Sequence, residues 1–314
     1  MEGPKNEYVS HMVGIIPVQG GPKNDGYPWP HALTPLYKNY TALHRAVLEC
    51  AIAGCSSIWV IAEKKHIPLL KAIVGVYVED PILAQLPVEF KDNFKMKIPI
   101  WYTSVSARDI GRRNCYGWTI LTGADVATRV ATTLTKGATP EKFYVAFPQS
   151  VYSPWRLQKF RKKIKGTEAN WYVTSENKTI KDGTELGFTF FSEDFKRFKK
   201  DFREKDQGSW QGPELGKLVR RPIEERNLGA KLGLDEVFQS ATMGDAMLHE
   251  CPKVYNISDW AGYVEYISSP HHYKMPKKIK YFRFDKMKNI ETRHIECGVY
   301  DDDDLYSKDG TPKA

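Results

Sequence analysis

The stretch from Val13 to Ile61 constrains this chain more than any other. Val13–Val18 (VGIIPV) is a short apolar run that stops at Gly20-Gly21, the pattern of a buried strand entering a turn. Pro22, Pro28, Pro30 and Pro35 then crowd one segment. It must be an irregular loop, because proline lacks the backbone donor that a helix interior or a central strand needs. Thr41–Ala53 reads as a helix: Leu43, Val47, Leu48 and Ala51 share a face, and Gly54 is a natural stop. Ser57–Ala62 (SIWVIA) is a second buried strand. Strand, loop, helix, strand is a βαβ unit, so the two strands are expected to be parallel.

The same alternation continues. The pattern predicts a helix at Ile67–Val74, a strand at Lys97–Thr103, a helix at Ala124–Leu134 and a strand at Lys142–Phe147. A basic helix at Ser153–Ile164 follows, then strands at Trp171–Thr174 and Leu186–Phe191 and a helix at Ser192–Phe202 with Ser192 as its cap. Asp206–Pro213 reads as an insertion or lid, Gly233–Leu248 as a helix, and Gly262–Ser268 as a helix ended by Pro270. Alternation at Tyr281–Phe284 and near Ile295–Tyr300 suggests a hairpin, and the acidic Asp301–Asp304 opens a frayed tail. The fold expected is α/β: three α/β/α layers, Rossmann-like, around a mixed, mostly parallel sheet. The expected division is a main domain over 1–270, with its binding half at about 13–150, and a C-terminal extension over 271–314.

With 314 residues, 41% of them hydrophobic, the chain can bury a sizeable core. No run reaches the roughly 18 to 20 apolar residues of a membrane span, and MEGPKNEYVSH lacks a signal-peptide pattern, so a soluble, cytoplasmic protein without a membrane partner is expected. Cys50, Cys55, Cys115, Cys251 and Cys297 form no CxxC pair, which argues for free thiols and against a zinc site. The net charge of +8 gathers in Lys159–Lys165, Phe195–Lys205 and Lys274–Arg283. Such segments are either solvated helix faces or a surface for nucleic acid or a phosphorylated substrate.

In an open α/β sheet, ligands sit outside the carboxyl ends of the strands. A phosphate there needs backbone N–H groups and close approach, and glycine supplies both. Gln19-Gly20-Gly21-Pro22-Lys23 has this form directly after the first strand, with Lys23 placed to meet a phosphate.

The order IIPVQGGPK, a proline-rich loop, then PHALTPLYKNYTALHRAVLECAIAGCSSIWVI resembles the N-terminal half of the nucleotidyltransferases that activate sugar phosphates. Weaker similarity runs on to Pro270. Gly117-Trp118-Thr119 is similar to the family's base-contacting segment. Phe143–Gln149 is similar to the strand that ends in its metal-binding aspartate, and Glu185–Phe191 to a later strand. Ile257–Trp260 is similar to the segment with a second metal carboxylate. The resemblance implies a nucleotide site at Val18, Gln19, Gly20, Gly21, Pro22, Gly117, Trp118 and Thr119. It also implies Lys23 on a triphosphate, His31 on a sugar phosphate, and Mg²⁺ held at Asp259 and at the position of Gln149.

Three departures stand out: Lys23 replaces an arginine in a shortened loop, His31 replaces a lysine, and Gln149 replaces the aspartate. The last removes a negative charge that a hard cation prefers, with Asp125 and Asp182 as candidates to assist. Simpler roles are open to the same residues: a loop lysine for Lys23, a turn for His31, a helix cap for Asp259, core packing for Trp118 and a surface pair for His271-His272.

Three functions fit this pattern. The first joins a nucleoside triphosphate and a sugar phosphate, giving a nucleotide sugar and pyrophosphate. The second is a glycosyltransferase that uses a nucleotide sugar, with modified DNA, as in bacteriophage DNA glycosylation, among its acceptors. The third is a non-catalytic module that binds nucleotide or nucleic acid.

Overall fold

A computed structural model describes residues 8–21, 27, 29–85, 97–134, 139–206, 229–241 and 246–270. The backbone alone is described at 135, 207, 210–211, 218–219, 228, 277–285 and 290–299.

Ten strands form the main sheet: β1 (Met12–Pro17), β2 (Ser57–Ile61), β3 (Tyr77–Glu79), β4 (Lys97–Thr103), β5 (Lys142–Val145), β6 (Trp171–Thr174), β7 (Phe188–Phe191), β8 (Met247–Glu250), β9 (Lys277–Asp285) and β10 (Ile290–Val299). Their order across the sheet is β8-β6-β7-β5-β1-β2-β4-β3-β9-β10. β5, β1, β2 and β4 are mutually parallel neighbours, as the βαβ reading requires. β7 enters antiparallel to both β5 and β6, β3 lies antiparallel to β4, and β10 folds back on β9, so the remaining strands share one direction. The sheet is therefore mixed and mostly parallel.

The alternation of β1 sorts the core. Met12 and Ile16 face α1 (Ala42–Ala53), while Val13 and Ile15 face α3 (Tyr116–Thr135) and α4 (Ser192–Gln207). α1 begins at Thr41, whose hydroxyl accepts from the His44 amide, and ends at Gly54 in the left-handed region with φ 97°. Every residue of α1 is buried. α2 (Ile67–Val74) crosses from β2 towards β3. Among the described residues no helix is long and apolar enough to cross a membrane.

Four elements differ from the sequence reading. The helix expected at Ala124–Leu134 starts eight residues earlier, at Tyr116. Ser153–Ile164 splits into 3₁₀ turns over Pro154–Phe160 and one α turn over Arg161–Ile164. Among the described residues of Gly233–Leu248, the helix is confined to Leu234–Val237, and Met247–Glu250 is instead drawn into the sheet as a parallel partner of β6. Asp206–Pro213 opens inside α4, which runs on to Gln207; a short strand at Trp210–Gln211 follows. The expected hairpin exists as β9 and β10, and β9 also pairs with β3. The tail at Asp301–Asp304 and the pair His271-His272 lie outside the described residues.

The basic segments are partly spent inside the fold. Arg161 reaches Asp80 at 2.6 Å, Lys199 binds Asp125, and Arg197 binds Asp194 at 2.6 Å.

Candidate functional site

A cleft of about 240 Å³ opens at the carboxyl ends of β1, β2 and β5. Val18, Gln19, Gly20 and Gly21 enter it directly after β1. The N–H groups of Val18 and Gln19 both donate to the carbonyl of Ile61, at 2.9 and 3.1 Å, which ties the loop to the end of β2. Gly20 turns with φ +91°, where a β-carbon would lie 2.5 Å from the Cys115 carbonyl. The N–H groups of Gly20 and Gly21 make no hydrogen bond among the described residues.

Pro30, His31 and Ala32 form the opposite lip, in a 3₁₀ turn that the prolines make possible. Glu63 and His66, between β2 and α2, supply a third wall. Asn114 and Tyr116 come from the start of α3, and Pro148 and Gln149 from the turn after β5. No lysine or arginine lines the cleft among the described residues.

Two of the lining residues, Tyr116 and Gln149, join Glu185 in a hydrogen-bonded trio. The Gln149 amide donates to the Tyr116 hydroxyl and also bonds the Glu185 carboxyl. Burial pushes the Glu185 carboxyl up to about 7, against the opposing hydrogen bond from Gln149, and its Oε2 has no hydrogen-bond partner among the described residues. Burial, with the Glu185 carboxylate beside it, also raises the Tyr116 hydroxyl well above its ordinary value. The backbone is fixed as well. The Gln149 carbonyl accepts from Ile257 N–H at 2.9 Å, and the Ser150 hydroxyl donates to the Glu185 carbonyl.

Val18, Gln19, Gly20, Gly21, His31 and Gln149 therefore meet in one cleft. Pro22 and Lys23 lie outside the described residues. Gly117, Trp118 and Thr119 do not line the cleft: they sit in the first turn of α3 and face the core. Gly117 packs on Val237, and the Trp118 ring lies tilted against Phe202 at 4.8 Å with the Arg113 guanidinium 4.6 Å above it. The Thr119 hydroxyl donates to the Cys115 carbonyl at 3.0 Å.

Asp259 is exposed and caps α5 (Trp260–Ile267), accepting from Gly262 N–H at 2.7 Å. Its link to the cleft is indirect: the Tyr27 hydroxyl donates to the Asp259 carbonyl at 2.6 Å, and the Tyr27 ring packs edge-on to His31 at 4.8 Å. Tyr116, Asn114, Glu63, His66 and Glu185 were not singled out from the sequence. Only the strand order brings the first four to the cleft and Glu185 against Gln149.

The residues do not fit a cation site built on Gln149 and Asp259. Gln149 is uncharged and already bonded to Tyr116 and Glu185. The Asp259 carboxylate is committed to a helix cap. Asp125 is paired with Lys199 and Arg129, and Asp182 accepts from Thr179 N–H at 2.8 Å. Among the described residues no group of three His, Cys, Asp or Glu could hold a metal ion.

No family profile matches the chain, and no curated protein matches its sequence. Solved structures do match. A protein from Bacillus anthracis described as a glucose-1-phosphate thymidylyltransferase, in complex with sucrose, superposes with a TM-score of 0.50 at 12% identity, over 82% of this chain and 94% of that one. A UDP-glucose pyrophosphorylase complexed with UDP-glucose gives a TM-score of 0.48 at 11% identity, over 82% and 97%. A 4-diphosphocytidyl-2C-methyl-D-erythritol synthase from Anaerococcus prevotii gives 0.46 at 8%, over 82% and 95%. Likeness at such identity speaks to fold alone. This chain has the Rossmann-like nucleotide-diphospho-sugar transferase fold.

Proposed function

We propose that the chain binds a nucleoside triphosphate or a nucleotide sugar in the cleft at the ends of β1, β2 and β5. We further propose that it acts as a nucleotidyltransferase on a sugar phosphate, releasing pyrophosphate. One observation carries the reading: the Gly20-Gly21 turn leaves two backbone N–H groups without partners among the described residues, in the cleft that also holds His31 and Gln149.

In this reading Gly20, Gly21 and Lys23 meet the phosphates, Val18 and Gln19 form the wall against the nucleotide, and His31 faces the sugar phosphate. Catalysis is positioning and charge neutralisation, without a covalent intermediate. Mg²⁺ enters as the counter-ion that a triphosphate carries, not as a group held by Asp259 and Gln149.

The test is thermal shift across nucleoside triphosphates and nucleotide sugars, with and without Mg²⁺, followed by pyrophosphate release in the presence of sugar 1-phosphates. A shift with one base class and pyrophosphate release together support the reading. Failure of every nucleotide to raise the melting temperature would sink it. Binding without turnover would leave a nucleotide-binding module.

A further inference from the structure

α1 carries an ion pair where a core helix has least use for one. Arg45 is 2% exposed and Glu49 0%, one turn apart, with the guanidinium 2.8 Å from the carboxylate. Burying both charges is costly, and apolar residues of similar volume often serve stability as well or better. Local helix stability therefore does not explain the pair.

Its outward bonds do. The same Arg45 nitrogen that meets Glu49 donates to the Phe147 carbonyl at 2.7 Å, and the guanidinium lies over the Tyr152 ring at 4.7 Å. Glu49 Oε1 accepts from the Tyr144 hydroxyl at 2.7 Å and from the Tyr152 hydroxyl. Tyr144 lies in β5, Phe147 opens the turn and Tyr152 follows it. The pair thus grips the chain before, at and after Pro148-Gln149. Backbone bonds complete the clamp, with Ser150 N–H on the Phe147 carbonyl at 3.4 Å and Ile257 N–H on the Gln149 carbonyl at 2.9 Å.

We propose that Arg45 and Glu49 are positioning residues that fix the Tyr144–Tyr152 segment, so that Gln149 lines the cleft against Tyr116 and Glu185. A methionine would fill the space of Arg45, but it could not hold a carbonyl in place. A lysine would keep the charge but lose the planar guanidinium that lies over the Tyr152 ring while one of its nitrogens serves Glu49 and Phe147.

The test is hydrogen exchange on the full chain. In Arg45→Met combined with Glu49→Gln, both charges go, and the glutamine still accepts from the two tyrosines. The fold is expected to persist, with exchange at the Ile257 and Ser150 amides rising about tenfold or more while the β1 and β2 amides keep their protection. Unchanged exchange at Ile257 and Ser150, or an equal rise across β1 and β2, would overturn the proposal. Should the double variant fail to fold, Arg45→Lys gives the same local readout, with the same two outcomes against the proposal.

A second arm rests on the proposed nucleotide site. A nucleotide that stabilises the parent should bind the double variant about tenfold more weakly. A parent that binds no nucleotide overturns the functional reading alone, since the exchange arm needs no ligand.

Discussion

Gly20 and Gly21 are adjacent yet constrained by different things. Gly20 needs a positive φ and faces backbone, whereas a β-carbon on Gly21 would meet only the far end of Tyr116, 2.0 Å from its hydroxyl. Gly20→Ala should therefore cost roughly 1–3 kcal/mol of stability in urea unfolding. Gly21→Ala should cost less stability but displace Tyr116 and weaken ligand binding, as read by titration calorimetry. The opposite ranking would show that the Gly20 turn is not held as described.

Glu185 gives a pH signature. Its folded-state carboxyl keeps a proton up to about pH 7, whereas an ordinary glutamate releases one near 4.5. Between those values the folded chain binds more protons than the unfolded chain, so its stability falls as pH rises through the window. Glu185→Gln should match the parent near pH 4 and exceed it by about 1–3 kcal/mol at pH 8, measured as paired denaturation curves. The glycines were legible in the sequence from their place after the first strand, while His31 and Gln149 entered only through the resemblance, at the positions of its lysine and aspartate. Glu185 and Tyr116 were not, because nothing local shows that residues 116, 149 and 185 converge.

Among the elements, α1 was legible to within a residue, since Thr41 and Gly54 mark both ends and Leu43, Val47, Leu48 and Ala51 recur at helical spacing between them. α3 was not. Gly117 lowers the helical signal of its first turn, and close packing on Val237 overrides that local preference. Met247–Glu250 likewise becomes a strand because β6 offers it an edge.

The cap of α5 separates two roles for Asp259. Asparagine caps as well as aspartate, so Asp259→Asn should keep both melting temperature and nucleotide affinity, while Asp259→Ala should lose about 1 kcal/mol. A loss of Mg²⁺-dependent binding in Asp259→Asn, with the fold intact, would instead make the carboxylate a metal ligand.

For the whole molecule, the parallel pairing of β1 and β2 followed from the βαβ pattern, but the strand order did not. β5 slots beside β1, and β9 covers the edge of β3, through pairings that no local signal encodes. A chain ending at Pro270 would leave the backbone groups of Tyr77–Glu79 open on that side, an invitation to edge-to-edge association. Such a truncation should self-associate in light scattering, while its monomeric fraction keeps any nucleotide-induced thermal shift, because the cleft lies several strands away. Loss of binding in that monomer would tie the hairpin to the site.

The bond from Ile257 N–H to the Gln149 carbonyl also sets a timetable. The glycine turn is made early in synthesis, its facing glutamine more than a hundred residues later, and Ile257, which fastens that glutamine, another hundred after that. Contacts of such sequence separation close slowly. A ribosome-bound chain that already shows a helical α1 should therefore still lack a formed pocket, and acquire one only once residue 257 has cleared the exit tunnel.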